Sequence, residues 1–374
     1  MALDLAFCGT YTDPSRQAGF EVSPDRPVMG MTGPTGSKGV YVFRHDRQTG
    51  ALTPVGRATA AVNPSFMTVG RGERFLFAVN EVREFEGQAS GGVSSFAIDG
   101  ETGELRFVSQ VASGGGNPCH LSMSHNGRFL MVANHEAGSV AVFAVGEDGK
   151  LSNVIDLHVD EPFDERRPHA HFVTPDPDGA FVLTSDTGTD RVRVYRQDPK
   201  TGGLTANDPP WSQTHPGGSP RHLAFAPNGN HLFANGEADL TLSLFRYDRA
   251  RGLLDYVRCV STAPEGADTR QHSTAQMLVH PNGRFVYVAN RGTDTIAVFE
   301  FDQTTEQLAT VAFEPTRGKT PRNFQIDPSA RWLYVCNQNS GGIECFAIDP
   351  DTGRLRHKGL AAEALAPTCL QFSA

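Results

Sequence analysis

Three arginines, a histidine and a glutamate stand at the ends of short segments that recur along this chain. Arg221 lies in SPRHLAFAPNG, Arg322 in TPRNFQIDPSA, Arg291 in VANRGTD, and His171 in RPHAHFVTPDPDG. Glu237 closes Asn235-Gly236-Glu237. A guanidinium stays charged, and its planar fork grips carboxylate or phosphate with two parallel bonds. Arginines that converged would therefore hold an anion. An imidazole that titrates near neutrality can activate water or shuttle a proton. Glu237 can orient an arginine, serve as a base, or neutralise Arg221. Glu81, His169 and Gln276 are near neighbours in the same segments and complete the candidate set. The plain alternative is that these groups pair with one another as a structural polar network. His169-Ala170-His171 is an H-x-H pair that can ligate a metal. Local spacing supplies no third ligand, and Asp186 and Glu237 are available only in space, so no metal and no cofactor is expected. There is no G-x-S-x-G elbow and no glycine-rich phosphate loop, so a serine or cysteine nucleophile has no local motif.

Residues so far apart need a scaffold that returns to one place repeatedly. Ser219–Asp248 alternates apolar and polar residues over short runs, broken by Pro227-Asn228-Gly229. Alternation at period two between turn residues predicts strands, here over His222–Ala226, Leu232–Asn235, Leu240–Tyr247 and around Leu254–Cys259. The frame recurs, with its turn at Glu73, Gly127, Gly179, Gly229, Gly283 and Ala330, 47 to 54 residues apart. Repeats of this length with four strands each are β-propeller blades. Leu3–Thr12, Lys38–Arg44 and Leu52–Arg57 read as strands two to four of a blade that lacks its first. Pro367–Ser373 supplies it. The expectation is an all-β, seven-bladed propeller of four antiparallel strands per blade, one domain over residues 1–374. The C-terminal strand closes it against the N-terminal three, leaving no open ring edge.

This topology puts the start of each first strand and the end of each second strand on one face. Counting back from the turns brings Ser65, Cys119, His171, Arg221, Ala275 and Arg322 to that mouth, with Thr368 from the last strand. The longer connections, Asp13–Ser37, Arg83–Gly92, Val159–Arg167 and Thr262–His272, open there too, and loop-rich faces usually carry function. The Gly- and Pro-rich Asp13–Ser37 reads either as a surface insertion or as a pocket wall. Asn80, Asn134, Asn235, Asn290 and Asn337 end five second strands, and that recurrence is read as architectural.

Composition bounds the partners. The 374 residues carry a net charge of −9 without a basic stripe, which argues against nucleic acid. No apolar run is long enough to span a bilayer, and the start lacks the pattern of an export signal, so a cytoplasmic location away from membranes is expected. The six cysteines include no C-x-x-C pair and are read as reduced, mostly buried thiols.

FCGTYT, RPHAHFVTPDPDG, SPRHLAFAPNG followed by NGE, and VANRGTDTIAVF resemble the seven-bladed β-propeller lactonase family, in order, from Gly9 to Phe372. That family includes propeller-type 6-phosphogluconolactonases and carboxy-muconate lactonising enzymes. The resemblance implies a site of one histidine, two arginines and a glutamate, which would fall on His171, Arg221, Arg291 and Glu237. Gln276 stands where many relatives carry glutamate. The expected activity is hydrolysis of a sugar-acid lactone such as 6-phosphogluconolactone. His171, Glu237 and Arg221 are expected to be catalytic, and Arg291, Arg322, His169, Glu81 and Gln276 to bind substrate. With His171 as the base, activity would rise with pH through an apparent pKa of roughly 6–7, which neighbouring arginines would lower and Glu237 would raise. A muconate-type cycloisomerase and a non-catalytic platform, with Phe20, Phe85, Phe163 and Trp211 as anchors, are the alternatives. The ligand would be a small anionic lactone, and the protein a monomer or weak homodimer.

Overall fold

The computed structural model describes residues 3–12, 36–56, 58–267 and 270–373, with the Arg71 side chain left aside. Phe20 and nearly all of the Asp13–Ser37 connection lie outside these residues. Seven antiparallel sheets form a ring. We number the blades from blade 1, Met67–Val69, Phe75–Asn80, Gly92–Ile98 and Leu105–Ala112. Blades 2, 3 and 4 have their inner strands at Pro118–Met123, Ala170–Pro175 and Pro220–Phe225. The inner strands of blades 5 and 6 are Ser273–Val279 and Pro321–Ile326. Blade 7 joins the two ends of the chain. Its inner strand, Pro367–Phe372, pairs with Leu5–Thr10, which pairs with Gly39–His45. The Leu5 N–H donates to Ser373 Oγ, and the Ser373 N–H returns to the Leu5 carbonyl.

One strand differs from expectation. The outer strand expected over Leu52–Arg57 ends at Pro54, and a separate short strand, Thr59–Ala60, pairs with Gly39 and Val40. The Val55 N–H still reaches the Val42 carbonyl at 2.8 Å, and Gly56 then turns the chain at φ 59°.

The core lies between blades. Each large apolar cluster joins neighbouring sheets, as when Phe181, Leu183 and Val192 of blade 3 pack on Leu223, Leu232 and Phe245 of blade 4. Period-two alternation produces this layout, because each strand presents side chains to the blade on either side. A turn glycine fits the blades together. At Gly149, Gly202, Gly252 and Gly353, φ lies between 67° and 81°, and the aromatic that opens the second strand of the preceding blade fills the space a Cβ would take.

The five recurring asparagines are architectural, as read. The Asn134, Asn290 and Asn337 side-chain amides donate to the carbonyls of Ser113, Thr262 and Thr316, in the segments arriving from the preceding blade. Asn235 accepts the His222 N–H and donates to Thr274 Oγ1 and the Ala275 carbonyl. All six cysteines are free, five of them buried.

Candidate active site at the channel mouth

The site is built from a defect repeated around the ring. In blades 2 to 7 the inner strand carries one residue more than its partner, just where it begins. The extra residue is Cys119, His171, Arg322 or Thr368 in four blades; in the other two it falls within Arg221-His222 and Ala275-Gln276. Such bulges leave the ladder locally and re-aim a side chain. A second set follows the ends of six of the second strands. The backbone N–H groups of Tyr11, Glu81, His135, Thr187, Glu237 and Gln338 close onto the carbonyls of Ala366, Asn63, Asn117, His169, Ser219 and Thr320, ahead of the inner strand of the same blade. Together these positions ring the mouth.

Arg221, Glu237 and Arg291 come together on one side. Arg221 Nε lies 3.4 Å from Glu237 Oε1, and Arg291 Nη2 donates to the same oxygen. Arg291 also donates to the Thr274 carbonyl at 2.7 Å. Burial alone would push the Glu237 carboxyl up, but the Arg291 and Arg221 cations outweigh it and hold its pKa below the ordinary value. Burial pulls Arg221 down, to about 9, despite Glu237, so it remains a cation at neutral pH. Arg291 is lowered by the same cause. The Nε atoms of both arginines are buried without a hydrogen-bond partner in the protein.

His171 stands beside them. Its ring centroid is 5.5 Å from that of His135 and 5.6 Å from that of His222, and its Nδ1 is buried without a partner. Arg221 Nη1 donates to His222 Nε2 at 2.9 Å, which leaves the His222 proton on Nδ1. Burial, first, and then the Arg221 cation and the neighbouring histidines hold His171 well below the ordinary imidazole value. His120 and His222 are lowered by burial and Arg221 as well, and His135 falls to about 4, chiefly by burial. His171 therefore does not titrate at roughly 6–7. The lowering influences of burial and Arg221 prevail, and the imidazole is neutral at pH 7.

Arg322 occupies the other side with Tyr11 and Glu81. Arg322 Nη2 donates to Tyr11 Oη at 2.7 Å, and Tyr11 Oη donates to Glu81 Oε2 at 2.8 Å. Arg322 is close enough to lower the pKa of both Arg221 and Arg291. Gln276, on the blade 5 bulge, lies beside His222, and its Oε1 is buried without a partner. His169 is turned aside. It stacks on His135 with centroids 4.7 Å apart, and its Nδ1–H donates to the His135 carbonyl at 3.0 Å. Asp186 does not join the histidines as a ligand. It accepts from the His169, Gly188 and Thr189 N–H groups, from Thr189 Oγ1 and from Arg193. The Cys119 thiol donates to the His171 carbonyl at 3.3 Å, and burial pushes its pKa far up, so it is no thiolate.

One residue deeper, four rings meet. Phe66, His120, Phe172 and His222 come from blades 1 to 4, with centroid separations of 4.1 Å for Phe66–His120, 3.8 Å for His120–Phe172 and 4.8 Å for Phe172–His222. Phe66 and His222 approach to 6.1 Å, although their blades are not neighbours, so the group lies across the ring axis and floors the mouth. None of these four rings is among the candidate site residues read from the sequence. The clue was available, since all four floor residues follow the counted mouth positions by one. Two aromatic anchors of the platform alternative, Phe163 and Trp211, sandwich the Arg191 guanidinium.

Among the described residues no helix is long and apolar enough to cross a membrane. The chain matches the family described as Lactonase, 7-bladed beta-propeller, over residues 7–372. It is 33% identical to the 6-phosphogluconolactonase of Bacillus subtilis over 344 residues, covering 90% of this chain and 95% of that one. The structure of the periplasmic gluconolactonase of Pseudomonas aeruginosa superposes with a TM-score of 0.85 at 31% identity, covering 100% of this chain and 99% of the other. A structure from Bacteroides fragilis gives a TM-score of 0.86 at 30% identity, covering 100% and 98%. With this ring, these repeats and these matches along its whole length, the chain belongs to the seven-bladed β-propeller lactonase family and is a lactonase.

Proposed function

We propose that the protein hydrolyses an aldonolactone, 6-phosphogluconolactone or a close relative, at the channel mouth. The observation that carries this reading is the joining of a neutral imidazole, His171, to two guanidiniums ordered by one carboxylate, Glu237. Hydrolysis of a cyclic ester needs a proton acceptor for the attacking water and donors for the oxyanion that forms at the carbonyl. His171 takes a proton as the water oxygen bonds to the carbonyl carbon. The carbonyl electron pair moves onto oxygen, where the Arg221 and Arg291 guanidiniums stabilise the developing charge. The pair returns, the ring C–O bond breaks, and the proton passes to the leaving alkoxide, giving the open hydroxy acid. Glu237 keeps both arginines in place and does not itself exchange protons at neutral pH. The names of the Bacillus subtilis and Pseudomonas aeruginosa relatives support a gluconolactone-type substrate.

The test is turnover of 6-phosphogluconolactone and unphosphorylated gluconolactone, each corrected for spontaneous hydrolysis. Acceleration of at least one is expected. Rates equal to the uncatalysed ones for both would remove this substrate class.

A further inference from the structure

Two arginines of the mouth share a carboxylate, and the third does not. Arg221 and Arg291 both meet Glu237 Oε1. Arg322 has no carboxylate within ion-pair distance among the described residues. Its hydrogen-bond partner is a neutral oxygen, Tyr11 Oη, and its guanidinium carbon lies 5.0 Å from the centre of the Tyr11 ring. The phenol is fixed in turn. Its proton goes to Glu81 Oε2, so its lone pair is left to face Arg322. Tyr11 and Glu81 are both buried, at 2% and 3% exposure, and a buried donor–acceptor chain of this kind holds one geometry. Glu81 thus supports the Arg322 cation through a neutral spacer without covering it. Burial works against the charge of Arg322, and Tyr11, Glu81 and Glu237 more than offset this, so its pKa is raised. An arginine with a fixed plane, a full charge and spare N–H groups is suited to a planar or tetrahedral oxyanion.

We propose that Tyr11 and Glu81 are positioning residues that present Arg322 as a separate oxyanion-binding arm. Discrimination between charged and uncharged lactones is then set where blades 6, 7 and 1 meet, while bond breaking is done in blades 3 to 5. This rests on the lactone-hydrolysis reading for its substrate, but its binding half can be examined without turnover. Three stable six-membered-ring sugars serve as probes: glucose 6-phosphate, glucuronate and glucose, carrying a phosphate, a carboxylate or no charge. In calorimetry the wild-type protein binds at least one charged probe more tightly than glucose, and the two charged probes show which oxyanion the arm prefers. Tyr11→Phe keeps the ring against Arg322 and removes the hydroxyl. It should weaken the preferred charged probe about tenfold, the size of one lost charge-assisted hydrogen bond, and leave glucose unchanged. Glu81→Gln should shift binding in the same direction by less, and it carries the test if Tyr11→Phe does not fold. In kinetics, Tyr11→Phe raises KM for the charged lactone by more than it changes kcat or the KM of the uncharged lactone. Equal weakening of all three probes, no weakening of any, or a wild-type protein indifferent to charge overturns the proposal. If no lactone is turned over but charged binding still depends on Tyr11, the hydrolysis reading fails and this one stands.

Discussion

His171 shows how a residue takes its chemistry from its surroundings. Packed against two imidazoles and near a guanidinium, it is held neutral by burial and by Arg221. A base must be unprotonated to act, and the free-enzyme value governs kcat/KM. Because that value lies well below 6.5, kcat/KM should be flat through neutrality and fall only at more acid pH. An acid limb centred at the ordinary imidazole value would contradict the assignment. His171→Ala should lower kcat by roughly 10²–10⁴, with a melting temperature close to wild type. His169→Ala should do much less, because that ring is stacked away on His135. Full turnover in the His171 variant would remove it from the mechanism. The residue types and positions of this site were legible in the sequence, since His171, Arg221 and Arg322 fall at one counted place in their repeats. The protonation state was not. It depends on burial and on rings from other blades, and no local spacing encodes either.

At the scale of the strand, the bulge was the hidden element. Apolar alternation locates an inner strand such as Pro220–Phe225, but it cannot report that one extra residue sits opposite the end of the partner strand. That extra residue turns Arg221 and His222 out of the ladder, so their roles emerged only with the pairing register. The outer strand of blade 7 is shorter than expected, since Leu52–Arg57 carries strand-like residues but the chain turns at Gly56 with φ 59°. The glycine turns are a clearer case of sequence dictating structure. Gly202 has φ 81°, and a Cβ there would come within 2.5 Å of the Phe129 ring. Gly202→Ala combines backbone strain with a clash against a buried aromatic and should cost roughly 1–3 kcal/mol. Chemical denaturation measures it, and an unchanged midpoint would show that blades 2 and 3 can part without loss.

At the scale of the molecule, ring closure was the most legible feature, because PTCLQFS at the C-terminus matches the opening strand of every repeat. The Pro367–Phe372 strand buries Cys369 and Leu370 completely and pairs along Leu5–Thr10. Two buried side chains and a ladder of hydrogen bonds amount to about 5–10 kcal/mol, comparable with the whole stability of an ordinary domain. Removing Pro367–Ala374 should therefore abolish the cooperative melting transition near the wild-type temperature, as calorimetry would record. A truncated protein that melts like its parent would show that the ring holds without its clasp. The floor of Phe66, His120, Phe172 and His222 carries a different consequence, one of traffic. Four rings stand across the axis below the site, and a product that leaves by the mouth backs out the way its lactone came. Ring opening turns an ester into a carboxylate, so the molecule that backs out bears one more negative charge than the one that went in, and it leaves past three guanidiniums. The open acid should accordingly compete with its own lactone for the vacated site, and added salt should loosen that hold by screening the charge. Inhibition by gluconate or its 6-phosphate that is competitive and fades with ionic strength is the expected pattern, and salt-independent inhibition would argue for another exit.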